Sequence, residues 1–308
     1  EIPAGTYKIS SNLTVAPHVE FLHGAKLKPD SGVIVTLAGG YTAPIRQHVF
    51  DISAGGFVFC SKQSSTSQYH WGAIGDLVTN DTAACQALID NALYYSGSEC
   101  IRFADGGHLI TTLYFNYGNT LASPAYKTIT VKGAGSAFAA GFKGTHFKTA
   151  TWENGFEVVE GRNVSFENFS LYGPWYTSLL AKNIANLGET VDSTVVTNWN
   201  PSDIGVDATH KFKFSCGIHI DPRSGAQGAV SYSNVSYPSW TGLSAQYGKN
   251  HSSAMNFKNV DIVGFGVGVA IQGCNSDANG DYLFLDNCAI SFCRAGIAWG
   301  NSQARLGT

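Results

Sequence analysis

The chain has 308 residues and a formal net charge of −3, and its 19 Lys and Arg are scattered singly, so no basic stripe suits nucleic acid as a partner. Only 13% of the residues are charged, against 35 Gly, 14 Tyr, 18 Phe and 6 Trp, a composition that favours an all-β protein with a large core. No apolar run approaches the roughly 18 residues that span a bilayer, so no membrane insertion is expected.

Residues 1–60 read as short strands broken by Gly, Pro and Asp: TYKIS, NLTV, VEFLHG, KLKP, VIVTLAGG, HVFDIS and GFVFC. Their shortness, with no helix between them, predicts stacked turns of a coil, a segment over 1–70 that precedes the main domain at 71–308. Both ends, EIPAGTYKISSNLTV and AGIAWGNSQARLGT, read as cut inside a strand pattern. An internal echo supports the coil: Pro3–Ser11 is similar to Ala104–Thr112 at an offset of 101 residues, and a strand pattern follows both.

The next stretch, Trp71–Ala92, predicts a turn and then the one convincing helix of the chain, over about 80–94. Asn80 suits the N-cap, with Asp81 and Thr82 in the first turn, where a carboxylate favours the positive end of the helix dipole. Cys85, Leu88, Ile89 and Ala92 then fall at i, i+3, i+4 and i+7 and predict one buried stripe. The segments Trp71-Gly72-Ala73-Ile74-Gly75-Asp76, Asn80-Asp81-Thr82-Ala83-Ala84 and Gln86-Ala87 resemble the opening motif of pectate-lyase-like right-handed parallel β-helices, common in bacteriophage tailspikes and related polysaccharide depolymerases. The resemblance implies a helix that covers the N-terminal mouth of a parallel β-coil, and the motif itself carries no chemistry.

Seven Cys stand at irregular spacing with no C-x-x-C, which argues against zinc and against a disulfide framework and favours small core residues. Neither a metal nor a cofactor is implied. Two of the Asn-x-Ser/Thr triplets, at Asn168 and Asn234, fall in a repeated strand position, which makes them structural rather than glycosylated.

From residue 126 a repeat is countable. Apolar-any-Asn-apolar-any-apolar occurs at Phe166–Leu171, Tyr232–Tyr237, Phe257–Ile262 and Leu285–Ile290, with Thr128 in the Asn place of a fifth copy at Tyr126–Val131. A second pattern, Gly-apolar-any-apolar, begins at Gly155, Gly217, Gly242, Gly268 and Gly296, in steps of 62, 25, 26 and 28 residues. Steps of this size match one coil of a parallel solenoid, in which each rung buries its inward side chains on its neighbours. The repeated Asn would then stack as a ladder of side-chain amides at a spacing of about 4.8 Å.

The long step between Gly155 and Gly217 points to a lateral insertion over 174–213. It carries Trp175, Tyr176 and Trp199, flat apolar platforms suited to sugar rings. If the apolar positions of the glycine pattern point inward, the intervening ones point outward. The outward columns are Glu157, His219, Ser244, Ala270 and Ala298, and then Val159, Asp221, Gln246, Gln272 and Gly300. Glu157, His219 and Asp221 are the candidate catalytic residues, and Arg223, Gln246 and Gln272 join the three aromatics as candidate substrate contacts. Adjacent rungs would place Glu157 and Asp221 roughly 8 Å apart, within the roughly 6.5–9.5 Å that an inverting glycosidase needs for its two carboxylates. An extra rung would separate them. Glu153, Glu160 and Asp281 compete as acids.

The resemblance further implies a virion protein of a phage tail that acts outside the cell. It would be a homotrimer in contact with other tail proteins, binding and hydrolysing a bacterial surface polysaccharide. Two alternatives stay open: a glycan-binding adhesin without catalysis, and a lyase that removes a proton with a base such as His or Tyr. A secreted plant-cell-wall enzyme is a third reading. The paired Asp residues with Gly-His-Gly of polygalacturonases and the Asp cluster of calcium-dependent pectate lyases are both missing.

Overall fold

The computed structural model describes residues 1–60, 66–94, 100–116, 129–136, 144–149, 154–159, 164–173, 216–221, 255–271, 283–293, 295–299 and 306–307. It is mostly strand with little helix, and every strand pair in it is parallel. Among the described residues no helix is long and apolar enough to cross a membrane.

The first strands are Gly5–Ile9 (β1), Leu13–Val15 (β2), Val19–Glu20 (β3), Ala25–Pro29 (β4), Ile34–Leu37 (β5), Tyr41–Thr42 (β6) and Phe57–Cys60 (β7). They pair as β1 with β4, β2 with β5, β3 with β6, and β5 with β7, so the chain returns beside itself after two or three strands. HVFDIS, expected as a strand, contributes only the bridge of Phe50 to Leu27.

A 3-10 helix, Gln68–Trp71, leads into Asp76–Asn80 (β8) and the α-helix Thr82–Tyr94 (α1). Cys85, Leu88, Ile89 and Ala92 are fully buried, as the periodicity requires. The cap differs from expectation. The first helical bond runs from the Cys85 N–H to the Asp81 carbonyl, so Asp81 is the capping residue. Asn80 folds over the same end, its side chain accepting from the Thr82 N–H at 2.9 Å and the Thr82 hydroxyl at 2.6 Å. The Asp81 carboxylate is drawn away from the helix by stronger partners in the preceding loop.

The later strands are Cys100–Arg102 (β9), Gly106–Ile110 (β10), Leu113–Asn116 (β11), Ile129–Lys132 (β12), Thr145–Thr149 (β13), Phe156–Val159 (β14), Val164–Tyr172 (β15) and Cys216–Asp221 (β16). Met255–Val263 (β17), Val267–Ile271 (β18), Leu283–Asp286 (β19), Ala289–Ser291 (β20), Ala295–Trp299 (β21) and Leu306–Gly307 (β22) complete the order. They form three ladders. One runs β9, β12, β15, β17, β19, β22; the second β8, β10, β13, β15, β17, β20; the third β11, β14, β16, β18, β21. The echo at offset 101 is structural: β1 and β10 both open on a glycine, Gly5 at φ 146° and Gly106 at φ 143°.

The long strands β15 and β17 serve two ladders because each bends at an asparagine in the left-handed region, Asn168 at φ 59° and Asn259 at φ 51°; Asn287, between β19 and β20, sits at φ 50°. Asparagine tolerates this region better than other residues with a Cβ. The three amides form a ladder: Asn259 Nδ2 donates to Asn168 Oδ1 at 2.9 Å, and Asn287 Nδ2 donates to Asn259 Oδ1 at 2.7 Å. Two expected members, Asn234 and Thr128, lie outside the described residues. In β12, Lys132 pairs with Glu167, which makes Gly133 rather than Thr128 the counterpart of Asn168. A Cβ at Gly133 would stand 2.3 Å from the Asn168 carbonyl oxygen, so no larger residue fits.

The glycine pattern has the same cause. Cβ atoms would come within 2.7 Å of the Gly217 carbonyl oxygen at Gly155, 2.6 Å of the Gly268 carbonyl oxygen at Gly217, and 2.6 Å of the Gly296 carbonyl oxygen at Gly268. Gly242 lies outside the described residues.

Inward side chains make one continuous hydrophobic cluster from Val19 through α1 to Leu283. Phe115, Phe147, Phe156, Phe166, Phe169 and Phe257 fill its centre, with Phe166 stacked on Phe257 at 5.2 Å between centroids and 18° between planes. Helix α1 packs against the 3-10 helix, β7 and β9 to β11, between the first strand group and the start of the three ladders. Gln86 ties it down by pairing with the backbone of edge strand β11: Nε2 donates to the Tyr114 carbonyl at 2.9 Å, and Oε1 accepts the Tyr114 N–H at 2.8 Å. Cys60, Cys85 and Cys216 are buried and Cys100, Cys288 and Cys293 half-buried, all as free thiols.

Candidate functional site

The third ladder carries the expected column. Phe156, Val158, Ile218, Ile220 and Val269 point into the core, so the residues between them lie on the opposite face. In register, Tyr114 pairs with Glu157, Glu157 with His219, His219 with Ala270, and Ala270 with Ala298. Ser244 lies outside the described residues, and Tyr114, which the sequence pattern missed, heads the column. Its strand lacks the opening glycine, since Leu113 is preceded by Thr112.

β14 and β16 are immediate neighbours, so the residues between them add no rung to this ladder. Val159 pairs with Asp221, which places Asp221 one strand over and two residues along from Glu157, roughly 8 Å diagonally by strand geometry. The Asp221 side chain lies outside the described residues, as do Trp175, Tyr176, Trp199, Arg223, Gln246 and Gln272, the competing acids Glu153, Glu160 and Asp281, and the whole of 174–213.

Glu157 and His219 meet. His219 Nδ1 lies 2.6 Å from Glu157 Oε2, with side-chain exposures of 2% and 12%. The other carboxylate oxygen, Oε1, accepts from Asn154 Nδ2. The Asn154 amide is itself oriented: its Oδ1 accepts the Cys216 N–H at 2.7 Å, which leaves Nδ2 as the group that faces Glu157. Both Glu157 oxygens therefore have a partner, Asn154 Nδ2 at one and His219 Nδ1 at the other. Burial and the neighbouring Glu157 charge push the Cys216 thiol well above its ordinary range, so it stays protonated and is no nucleophile.

Such a group can hold an imidazole in a set orientation for proton transfer. It suits Glu157 less well to the role of general acid, because both of its oxygens are already occupied as acceptors. A solvent-facing carboxylate, as the alternating pattern implied, is not what the column contains: Glu157 is mostly covered and His219 almost wholly so.

Three further polar groups are sealed in the fold. Asp81 accepts from the N–H groups of Ile74 at 2.8 Å and Gly75 at 2.9 Å and from His108 Nδ1 at 2.7 Å. Gln68 Nε2 donates to His108 Nε2 at 2.9 Å, while its Oε1 accepts the Ala104 N–H at 3.0 Å. Next, His70 is kept neutral by burial, which lowers its pKa to about 4; its Nδ1 accepts from the Tyr41 hydroxyl at 2.6 Å and its Nε2 donates to the Pro44 carbonyl at 3.1 Å. In the second ladder His146, Ser170 and Asp261 stand side by side in register, but Ser170 Oγ bonds Asp261 at 3.2 Å and both His146 and Ser170 are fully buried. These groups read as fixtures of the fold. Their signal in the sequence is faint, because each pairing spans residues far apart in the chain.

Comparison with family models, with curated proteins and with solved structures returned no match.

Proposed function

We propose that the chain is a right-handed parallel β-helix of the pectate-lyase-like type that binds a bacterial surface polysaccharide, capsule or O-antigen, across the face of β14 and β16 and cleaves it. In this reading it is a tailspike-like virion protein, a homotrimer joined to other phage tail proteins. The observation that carries the site is the 2.6 Å contact between His219 Nδ1 and Glu157 Oε2, on a strand face that also holds Asp221 one rung away. Support for the fold comes from the return of the chain every two or three strands, the asparagine ladder and the stacked glycines.

Hydrolysis would use Asp221 and Glu157 as the two carboxylates on adjacent rungs. The Glu157–His219 contact favours a second reading, β-elimination, because an imidazole held by a carboxylate is suited to accept a proton. Incubation of the protein with a panel of capsule and lipopolysaccharide preparations tests both. New reducing ends alone mean hydrolysis, and new reducing ends with the ultraviolet absorbance of an unsaturated sugar mean elimination. Binding with neither signal makes the protein a glycan-binding adhesin and refutes cleavage.

A further inference from the structure

Helix α1 lies along the edge of the third ladder and bonds to it through one polar stripe. Thr82, Gln86 and Asp90 stand four residues apart, so they share a face of the helix. Among the described residues β11 pairs with β14 alone, and on its other side the stripe takes the place of a strand. Thr82 Oγ1 accepts the Thr111 N–H at 2.9 Å, Gln86 Oε1 accepts the Tyr114 N–H at 2.8 Å, and Gln86 Nε2 donates to the Tyr114 carbonyl at 2.9 Å. The same Nε2 donates to Asp90 Oδ1 at 2.8 Å, the one hydrogen bond of the Asp90 carboxyl among the described residues.

No described cation meets this carboxyl. Asp90 is buried, which raises its pKa to about 7, and the bond from the neutral Gln86 amide offsets only part of that. The other described titratable groups on α1 and on the elements packed against it supply no charge there. Asp81 and His108 pair with each other at the first turn, and burial holds His70 neutral and keeps the Cys60, Cys85, Cys100 and Tyr69 side chains protonated. Arg102 is exposed, and Tyr114 meets the stripe through its backbone. With the helix docked, Asp90 keeps its proton in acid and becomes a bare buried charge as pH rises; with the helix lifted, water solvates the carboxylate.

We propose that the Thr82–Gln86–Asp90 stripe is a pH-sensitive clasp: α1 is held on the edge of β11 most firmly while Asp90 is protonated, and ionisation of Asp90 loosens it. Because the docked carboxyl titrates at about 7 and the lifted one at its ordinary 3.8, the support is whole below 3.8, falls as pH rises, and is gone above about 7. Each pH step in that window favours the lifted helix up to tenfold, on the order of a thousandfold in all. Lifting α1 bares the edge of β11, the strand that sets Tyr114 beside Glu157. The clasp belongs to the free protein, whether or not a glycan is cleaved.

Amide hydrogen exchange from about pH 4 to about pH 8 tests it in the parent and in Asp90→Asn, read as protection so that the base catalysis of exchange is divided out. The Thr111 and Tyr114 amides, whose acceptors lie on α1, report the clasp, and amides of β17 report global unfolding. In the parent, protection at Thr111 and Tyr114 should fall by about a thousandfold, level off above about pH 7, and respond to dilute urea far less than at β17, as a local opening does. In Asp90→Asn it should stay level with pH. Protection that is level in the parent, or that falls as steeply in Asp90→Asn, overturns the proposal; the second outcome assigns the pH dependence to another group such as the Asp81–His108 pair. Reporters that match β17 in both protection and urea response overturn it too, because α1 then leaves only with the whole fold. Should Asp90→Asn fail to fold, Asp90→Ala takes its place and removes the same titrating group.

Discussion

Two carboxylate–imidazole contacts lie among the described residues, Asp81 with His108 at 2.7 Å and Glu157 with His219 at 2.6 Å, and almost the same bond serves different ends. Around the first, every neighbour closes the network: two backbone N–H groups occupy Asp81, and Gln68, itself fixed by the Ala104 backbone, donates to the far nitrogen of His108. The imidazole is held from both sides, and the pair is sealed, with exposures of 0% and 1%. It ties the loop before α1 to β10. The second pair, though also largely covered, stands in a column of the third ladder, next to Tyr114 and one strand pairing from Asp221, and Glu157 is held at its other oxygen by Asn154. A carboxylate and an imidazole in contact therefore do not define a site; what surrounds the pair decides.

The largest effect should come from Asp81→Asn. In either orientation the new NH2 meets an N–H donor, and Gln68 bars His108 from relieving the clash by changing tautomer. A loss of about 3–5 kcal/mol in urea unfolding is expected. Asp90 extends the comparison as a buried carboxylate whose hydrogen bond comes from a neutral amide, Gln86 Nε2 at 2.8 Å. Burial raises its pKa to about 7, partly offset by that bond. Since the folded value exceeds the unfolded one, the penalty is absent below the unfolded pKa, grows as pH rises, and is complete above about 7. Asp90→Asn should therefore gain stability over the parent between acidic and alkaline pH, approaching about 4 kcal/mol at the alkaline end, and unfolding curves across pH check it.

A smaller effect is expected along the asparagine ladder. Asn259→Ala removes two side-chain hydrogen bonds and places alanine at φ 51°, for about 2 kcal/mol, whereas Asn287→Ala, at the exposed end with one such bond, should cost about 1 kcal/mol. Equal losses would mean that the ladder is not a stacked unit. Least of all, Glu157→Gln should cost about 1 kcal/mol, because glutamine keeps the shape of the side chain and one accepting oxygen. A loss as large as that of Asp81→Asn would make the second pair another fixture.

Much of the frame was legible in the sequence because it follows from local rules. Alternation predicted the inward Phe156, Val158, Ile218 and Ile220, and helical spacing predicted the buried stripe of α1. The repeated Asn and Gly were legible because a left-handed bend and a missing Cβ each demand a residue type. Counting by sequence distance did not reach the pairing of β15 with β17, which spans 91 residues where the repeat is about 26. The site was legible only as a face. Alternation placed Glu157 and His219 on one side, but their direct bond and the contact from Asn154 depend on a partner 62 residues away at Cys216. The capping role of Asp81 escaped for the same reason, since His108 competes for its carboxylate.

The most direct test of the account is cleavage of a bacterial surface polysaccharide by the parent protein beside Glu157→Gln and His219→Gln, each shown by its melting curve to be folded. The account predicts glycan shortening by the parent, lost in both variants with binding retained. Folded variants that cleave as fast as the parent would contradict it and leave the Glu157–His219 pair as part of the scaffold.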